Sequence, residues 1–146
     1  MRFDFKIVFF LFCIHTFSLF GIPYFQRTHL PFIIFLWAMK CIGITSGMHR
    51  LWTHASYKTN KFIKLILLTI CNSTFEASVQ EWTINHRMHH RFEESNPELD
   101  PYSIKGGFLW AHIIANCIYK SEQYNKEADK IKLELELERS DFDNKI

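Results

Sequence analysis

Residues 31–48, PFIIFLWAMKCIGITSGM, run without a break into HRLWTH at 49–54. The first part suits a membrane-crossing helix, since a rise of ~1.5 Å per residue carries it across most of a ~30 Å hydrocarbon core. The second part puts His49 and His54 where that helix leaves the bilayer. On an ideal helix these two imidazoles lie about 140° apart, so they meet only if the helix ends or bends between them. Lys40, inside the span, is costly at bilayer depth; it must snorkel, face a partner, or mark a departure from a working membrane protein.

Upstream, residues 7–25, IVFFLFCIHTFSLFGIPYF, form an uncharged stretch of similar length. A short polar link from Gln26 to Leu30 joins the two, so the pair reads as a transmembrane hairpin, about 7–25 and 31–48. Arg2 and Lys6 precede the first run as they would a secretory signal, yet no small-x-small cleavage site follows it. Arg2 and Lys6 lie before the hairpin, Arg50, Lys58, Lys61 and Lys64 after it, and Arg27 alone in the connecting loop. That bias places both outer ends in the cytosol.

Downstream, 62–83 begin with FIKLILLTIC and then turn polar, which fits a buried or re-entrant helix beside the membrane better than a third crossing. Residues 92–107, FEESNPELDPYSIKGG, carry two prolines and two glycines and read as an ordered cytosolic loop. Phe108 to Tyr119 is a short apolar helix suited to the membrane surface. From Lys120 onward charge dominates, and Ile131, Leu133, Leu135 and Leu137 alternate with Lys and Glu. Period two favours a strand while the Glu, Lys and Leu composition favours a helix, and both stay open. The expected architecture is all-α: a membrane-embedded hairpin with cytosolic and interfacial helices. Residues 1–120 form the membrane domain part and 121–146 a divergent charged cytosolic tail.

At 146 residues one domain of ordinary size is enough. A net charge of +2, with basic and acidic residues interleaved, excludes nucleic acid as a partner. Fifteen phenylalanines beside a mean hydropathy of −0.07 mean that a very apolar N-terminal region is averaged with a polar C-terminal one. Cys13, Cys41, Cys71 and Cys117 lie far apart with no CxxC pair, as buried free thiols do.

Five of the eight histidines fall in two clusters: His49 and His54 in HRLWTH, and His86, His89 and His90 in HRMHH. On a helix, positions i, i+3 and i+4 share a face, so the second cluster can aim three imidazoles at one point. Both clusters fall on the cytosolic side, where one shared metal site is available to them. Structural zinc usually takes Cys among its four ligands, which disfavours it here. An oxygen-activating metal pair wants roughly ten donors, and five histidines supply half. His15, His29 and His112 read as ordinary polar residues. Arg50 and Arg87, each following the first His of a cluster, read as snorkelling or acid-paired.

HRLWTH followed by EWTINHRMHH resembles the first two histidine boxes of the acyl-CoA delta-9 (stearoyl-CoA) desaturase family. GITS at Gly43 to Ser46 leads into the first box as the family's GITAG does, Glu81 and Trp82 precede the second, and DPYSIKGGFLWAH at Asp100 to His112 is similar to DPxxxRRGxxxSH. The likeness covers about residues 30 to 112, with a suitable helix ahead of it.

The resemblance implies a multi-pass enzyme of the endoplasmic reticulum membrane, its boxes facing the cytosol, that introduces a cis double bond into a saturated fatty acyl-CoA. It implies O2, electrons from cytochrome b5, and a di-iron centre ligated by His49, His54, His86, His89 and His90. It also implies substrate contacts for Trp82, on the acyl tunnel, and for Lys120. An apolar, Phe-rich scaffold suits the task of holding an acyl chain and excluding water. The family's third box, of HxxHH type, and its second pair of transmembrane helices are expected to be missing through truncation. Ile84 and Asn85 stand where the family has an Arg and an Asp at the CoA end of the substrate, and Lys105, Gly106 and Gly107 replace its RRG. Related membrane di-iron hydroxylases share such boxes, and an inactive, non-catalytic membrane derivative would keep them as a relic.

Overall fold

In the computed structural model, residues 2–93 and 95–143 are described, with side chains to residue 138. Among them the chain is helical with no β-strand, and it divides into two compact units, Arg2–Val79 and the chain from Gln80 onward.

In the first unit, α1 (Phe5–Gly21) starts at Asp4, whose carboxylate accepts the Lys6 N–H at 3.0 Å. Pro23 then sets a single 3-10 turn, Ile22–Tyr24. None of α1 is buried, and phenylalanines at 5, 9, 12, 17 and 20 are exposed. A second 3-10 turn, Arg27–His29, leads to α2 (Leu30–Ile42), with Pro31 in its first turn, where a missing N–H does no harm. The link that reads as polar loop is thus short and helical. Phe5–Tyr24 and Arg27–Thr53 are each long and apolar enough to cross a membrane, as the two runs predict.

The helix that begins as α2 ends at Thr53, between His49 and His54, as the meeting of the two imidazoles requires. From Gly43 to Thr53 it widens into a π-helix, with i→i+5 hydrogen bonds. Thr53 Oγ1 donates to the Met48 carbonyl at 2.7 Å, and the His54 N–H donates to the His49 carbonyl at 3.1 Å. Gly43 and Gly47, one turn apart, let α3 (Lys61–Asn72) come close: the Cys71 thiol donates to the Gly43 carbonyl at 3.1 Å. α3 is capped by Asn60, which accepts the Ile63 N–H at 2.9 Å. Its Leu67 and Cys71 are buried, whereas Phe62, Leu65 and Ile66 are exposed. Beyond it the backbone turns through Phe75 at φ 61 and Ala77 at φ 129. Phe75 lies 6.4 Å from the Phe10 ring, and Lys40 Nζ sits 6.0 Å from the centre of the Phe75 ring. Lys40 therefore faces a partner, an aromatic face that tolerates a cation.

In the second unit, α4 (Val79–Phe92) turns Ile84, Met88 and Phe92 inward, one turn apart, against Leu99 and α6 (Glu122–Asp143). Between them lie a 3-10 turn, Ile104–Gly106, a wide turn, Trp110–Ile114, and the short α5 (Ala115–Cys117). The alternation at 131–137 resolves as helix. Tyr124, Ala128, Ile131 and Leu135 follow a 4-3-4 spacing and enter the core, while Leu133 and Leu137 are 58% exposed on the other side. Burying a side chain the size of Ile131 contributes about 1.5–3 kcal/mol. Cys13, Cys41, Cys71 and Cys117 are free thiols, the last two buried.

Candidate metal centre and its surroundings

The π-winding brings the first pair of imidazoles together. An i→i+5 ladder sets residue five nearly above residue zero, and the His49 and His54 rings stand edge to face with centroids 4.6 Å apart.

α4 delivers the second group. His86 and His90, at i and i+4, point Nε2 at Nε2 across 3.1 Å. Two donors bound at right angles to one ion, at metal–nitrogen distances of about 2.1 Å, lie ~3 Å apart. The pair therefore has the spacing of adjacent ligands, and the all-imidazole set suits iron, copper or zinc. Trp82, one turn earlier and buried, stacks on His86 with centroids 4.7 Å apart and planes 19° from parallel.

His89 does not join that pair. Its Nδ1 is 2.8 Å from Asp100 Oδ1 and its Nε2 3.2 Å from Glu93 Oε2, and its ring stands edge to face with Tyr102 at 5.6 Å. The convergence expected of three imidazoles is thus shown by two, with the third drawn to carboxylates. Asp100 is buried, and its Oδ1 also accepts the Tyr102 N–H at 2.9 Å, an Asx turn. Sequence reasoning placed Asp100 in a family-like loop and gave it no role; Asp-Pro signals a turn but not which side chain it will hold.

Lys120 belongs to the same unit. Its Nζ donates to the Ala115 carbonyl at 2.8 Å and sits 5.4 Å from the centre of the Tyr124 ring. Burial lowers its pKa, with Glu81 pulling the other way. Tyr124 donates to Asn85 Oδ1 at 2.5 Å, and burial pushes its phenol above the ordinary range, helped by the acidic neighbours Tyr102, Glu81 and Asp100. Asn85 is thereby a partner of Tyr124, and Ile84 lines the core. Arg87 pairs with Glu138, the acid-paired alternative. His15 Nδ1 donates to the Leu11 carbonyl at 2.7 Å, and His29 Nδ1 accepts the Gln26 N–H at 3.2 Å, ordinary roles both.

These features define a helical protein with two helices of membrane-crossing length and histidines gathered in two short boxes. No family model matches the chain. Known proteins do. A probable acyl-CoA desaturase of Schizosaccharomyces pombe is 37% identical over 110 residues, covering 68% of this chain and 22% of that protein. Stearoyl-CoA desaturase of Homo sapiens is 38% identical over 80 residues, covering 55% and 22%. Acyl-CoA Delta(11) desaturase of Spodoptera littoralis is 30% identical over 100 residues, covering 68% and 29%. The chain belongs to the acyl-CoA desaturase family, whose named members are oxidoreductases. It spans about a quarter of the length of the curated relatives it matches.

Proposed function

We propose that this chain carries two histidine boxes of a delta-9-type fatty acyl-CoA desaturase, an O2-dependent enzyme of unsaturated fatty-acid biosynthesis. His49, His54, His86, His89 and His90 are the iron ligands, and the two boxes serve one di-iron centre. Its place is the endoplasmic reticulum membrane, with the boxes toward the cytosol and cytochrome b5 as electron donor. The charge on either side of the hairpin supports that orientation. The observation that carries the reading is the His86–His90 pair, Nε2 to Nε2 at 3.1 Å beside a stacked Trp82.

When bound, the irons supply the oxidising power needed to take hydrogen from an unactivated methylene. The chain's own residues do the rest. The histidines hold the metal as neutral imidazoles. The Trp82 indole stiffens His86 and offers an apolar wall to an acyl chain. Lys120, cationic and half-sequestered, suits the anionic end of a CoA ester. Relatives named for both delta-9 and delta(11) products accompany this chain, so double-bond position needs direct measurement.

The test is expression in iron-supplied microsomes lacking their own desaturase, with metal analysis of the purified protein and mass-spectrometric mapping of new double bonds. Bound iron that falls in His86→Ala and His90→Ala is the expected result, with any new double bond at carbon 9. Iron content unaffected by either substitution would sink the ligand assignment, and an alcohol product would replace desaturation by hydroxylation.

A further inference from the structure

We propose that Asp100 is a positioning residue for the second histidine box: its carboxylate fixes the tautomer and plane of His89 so that Nε2 is the nitrogen offered to a metal ion. The inference rests on the reading of His89 as a ligand and goes beyond it by naming what orients the ring.

A carboxylate has only acceptors to offer. Asp100 presents one oxygen to His89 Nδ1 at 2.8 Å and to the Tyr102 N–H at 2.9 Å, so the proton of a neutral His89 resides on Nδ1 and the lone pair on Nε2. Asp100 is also built in. Its side chain is 3% exposed, and the Asx turn with Tyr102 fixes its direction. A buried carboxylate is costly unless hydrogen-bonded, so the loop holds it where its donors are. The Tyr102 ring, edge-on to His89 at 68° between planes, limits rotation about the Asp100 contact.

Glu93 is the other carboxylate at this ring, and it differs in kind. It meets Nε2 at the longer distance of 3.2 Å, and its side chain is 44% exposed. The two acids border a cavity of about 320 Å³, lined also by Ser103 and Lys105. The outer acid is free to swing out of this space and expose Nε2, whereas the inner one is locked. A histidine held at one nitrogen by a fixed carboxylate and presented at the other is the arrangement by which proteins orient metal-bound imidazoles.

The experiment uses the full chain in detergent micelles. Two-bond ¹H–¹⁵N spectra of histidine-labelled, metal-free protein report the tautomer of His89, and titration with Co(II) reports affinity and the ligand-field spectrum. The expected result is an Nδ1–H tautomer in the wild type, mixed tautomers in Asp100→Ala, and Co(II) affinity 10–100-fold weaker in that variant. Asp100→Glu should restore part of the affinity, and Glu93→Gln should leave the tautomer unchanged. Asp100→Leu, which keeps the side-chain volume and removes both oxygens, decides the matter by the same readouts if Asp100→Ala loses helix content. Wild-type tautomer and affinity in a folded Asp100→Ala or Asp100→Leu variant would overturn the proposal. Co(II) binding that also ignores His86→Ala and His90→Ala would overturn instead the reading on which it rests.

Discussion

Arg87 and Glu138, 51 residues apart, meet in a two-pronged ion pair, Nη1 to Oε1 at 2.8 Å and Nη2 to Oε2 at 2.7 Å. Arg91 repeats the link to Glu134 at 2.7 Å, so the helix bearing the second box is tied to α6 by charge along its flank and by Met88 and Ile131 in the core. The hydrogen bonds from Arg87 hold the Glu138 carboxyl below its ordinary value. A depressed carboxylate stabilises the fold above its unfolded value and loses that contribution as pH falls through the folded one. Because Glu138 is largely exposed, solvent screening limits the pair to about 0.5–1 kcal/mol. Glu138→Gln should lower the thermal midpoint slightly at pH 7, and the gap to wild type should close in acid. A gap that does not shrink as pH falls below the ordinary carboxylate value would show that the charge is not its source.

Gly43 and Gly47 are where the π-helix and α3 touch. A Cβ at Gly43 would lie 2.8 Å from Ile70 Cγ2 and 3.3 Å from the Cys71 backbone nitrogen; one at Gly47 would lie 2.6 Å from Cys71 Sγ. Overpacking of this kind costs about 1–3 kcal/mol. Gly47→Ala should destabilise the protein in detergent melts and be partly rescued by Cys71→Ala, which removes the sulfur and leaves the Trp52 ring 3.0 Å away. Gly43→Ala should resist that rescue, because Ile70 Cγ2 and the Cys71 backbone nitrogen block it. Equal rescue of both would refute the assigned contacts.

The same stretch shows what a sequence reveals and what it hides. The apolar runs at 7–25 and 31–48 announce their helices because length and hydropathy are local properties, and the boxes announce a candidate metal site because five imidazoles in two clusters are chemically conspicuous. The widening of 43–53 does not show, since no local pattern in these residues separates an i→i+5 ladder from an i→i+4 one. Nor does the partner of His89: Asp100 is 11 residues away, and only the turn through Tyr102 brings it back.

α6 gives the sharpest case, because its sequence carries two periodicities at once. Leu133 and Leu135 are equivalent in the alternation and opposite in the fold, 58% and 4% exposed. Leu135→Ala should cost about 2–5 kcal/mol as a core truncation, and Leu133→Ala should stay within about 0.5 kcal/mol. Chemical denaturation in detergent distinguishes them, and similar losses at both positions would argue for the strand-like reading.

Tyr124 should govern the alkaline limb of stability. Its phenol stays protonated in the fold to a pH above the range where an unfolded tyrosine, near 10, ionises. Above that point the folded state binds more protons than the unfolded one, so stability falls as pH rises. Tyr124→Phe should flatten this limb. At neutral pH it should cost about 1–3 kcal/mol, because Asn85 Oδ1 loses its donor. Parallel pH profiles for the two proteins would be incompatible with the Tyr124 assignment.

Lys120 separates stability from binding. Burial lowers its pKa, so a folded chain holding the cation at neutral pH gives up free energy that an uncharged side chain would not. Here the unfolded chain holds its proton more tightly than the folded one, and stability rises as pH approaches the ordinary lysine value of 10.5 from below. Lys120→Met keeps the length of the side chain and removes the charge, so it should flatten that rise, while at neutral pH the relieved charge is offset by loss of the hydrogen bond to the Ala115 carbonyl. The proposed use of the lysine is the anionic end of an acyl-CoA. The variant should therefore bind acyl-CoA more weakly with iron content unchanged. A variant that melts lower and binds acyl-CoA as well as wild type would make Lys120 a structural cap on the Ala115 carbonyl and nothing more.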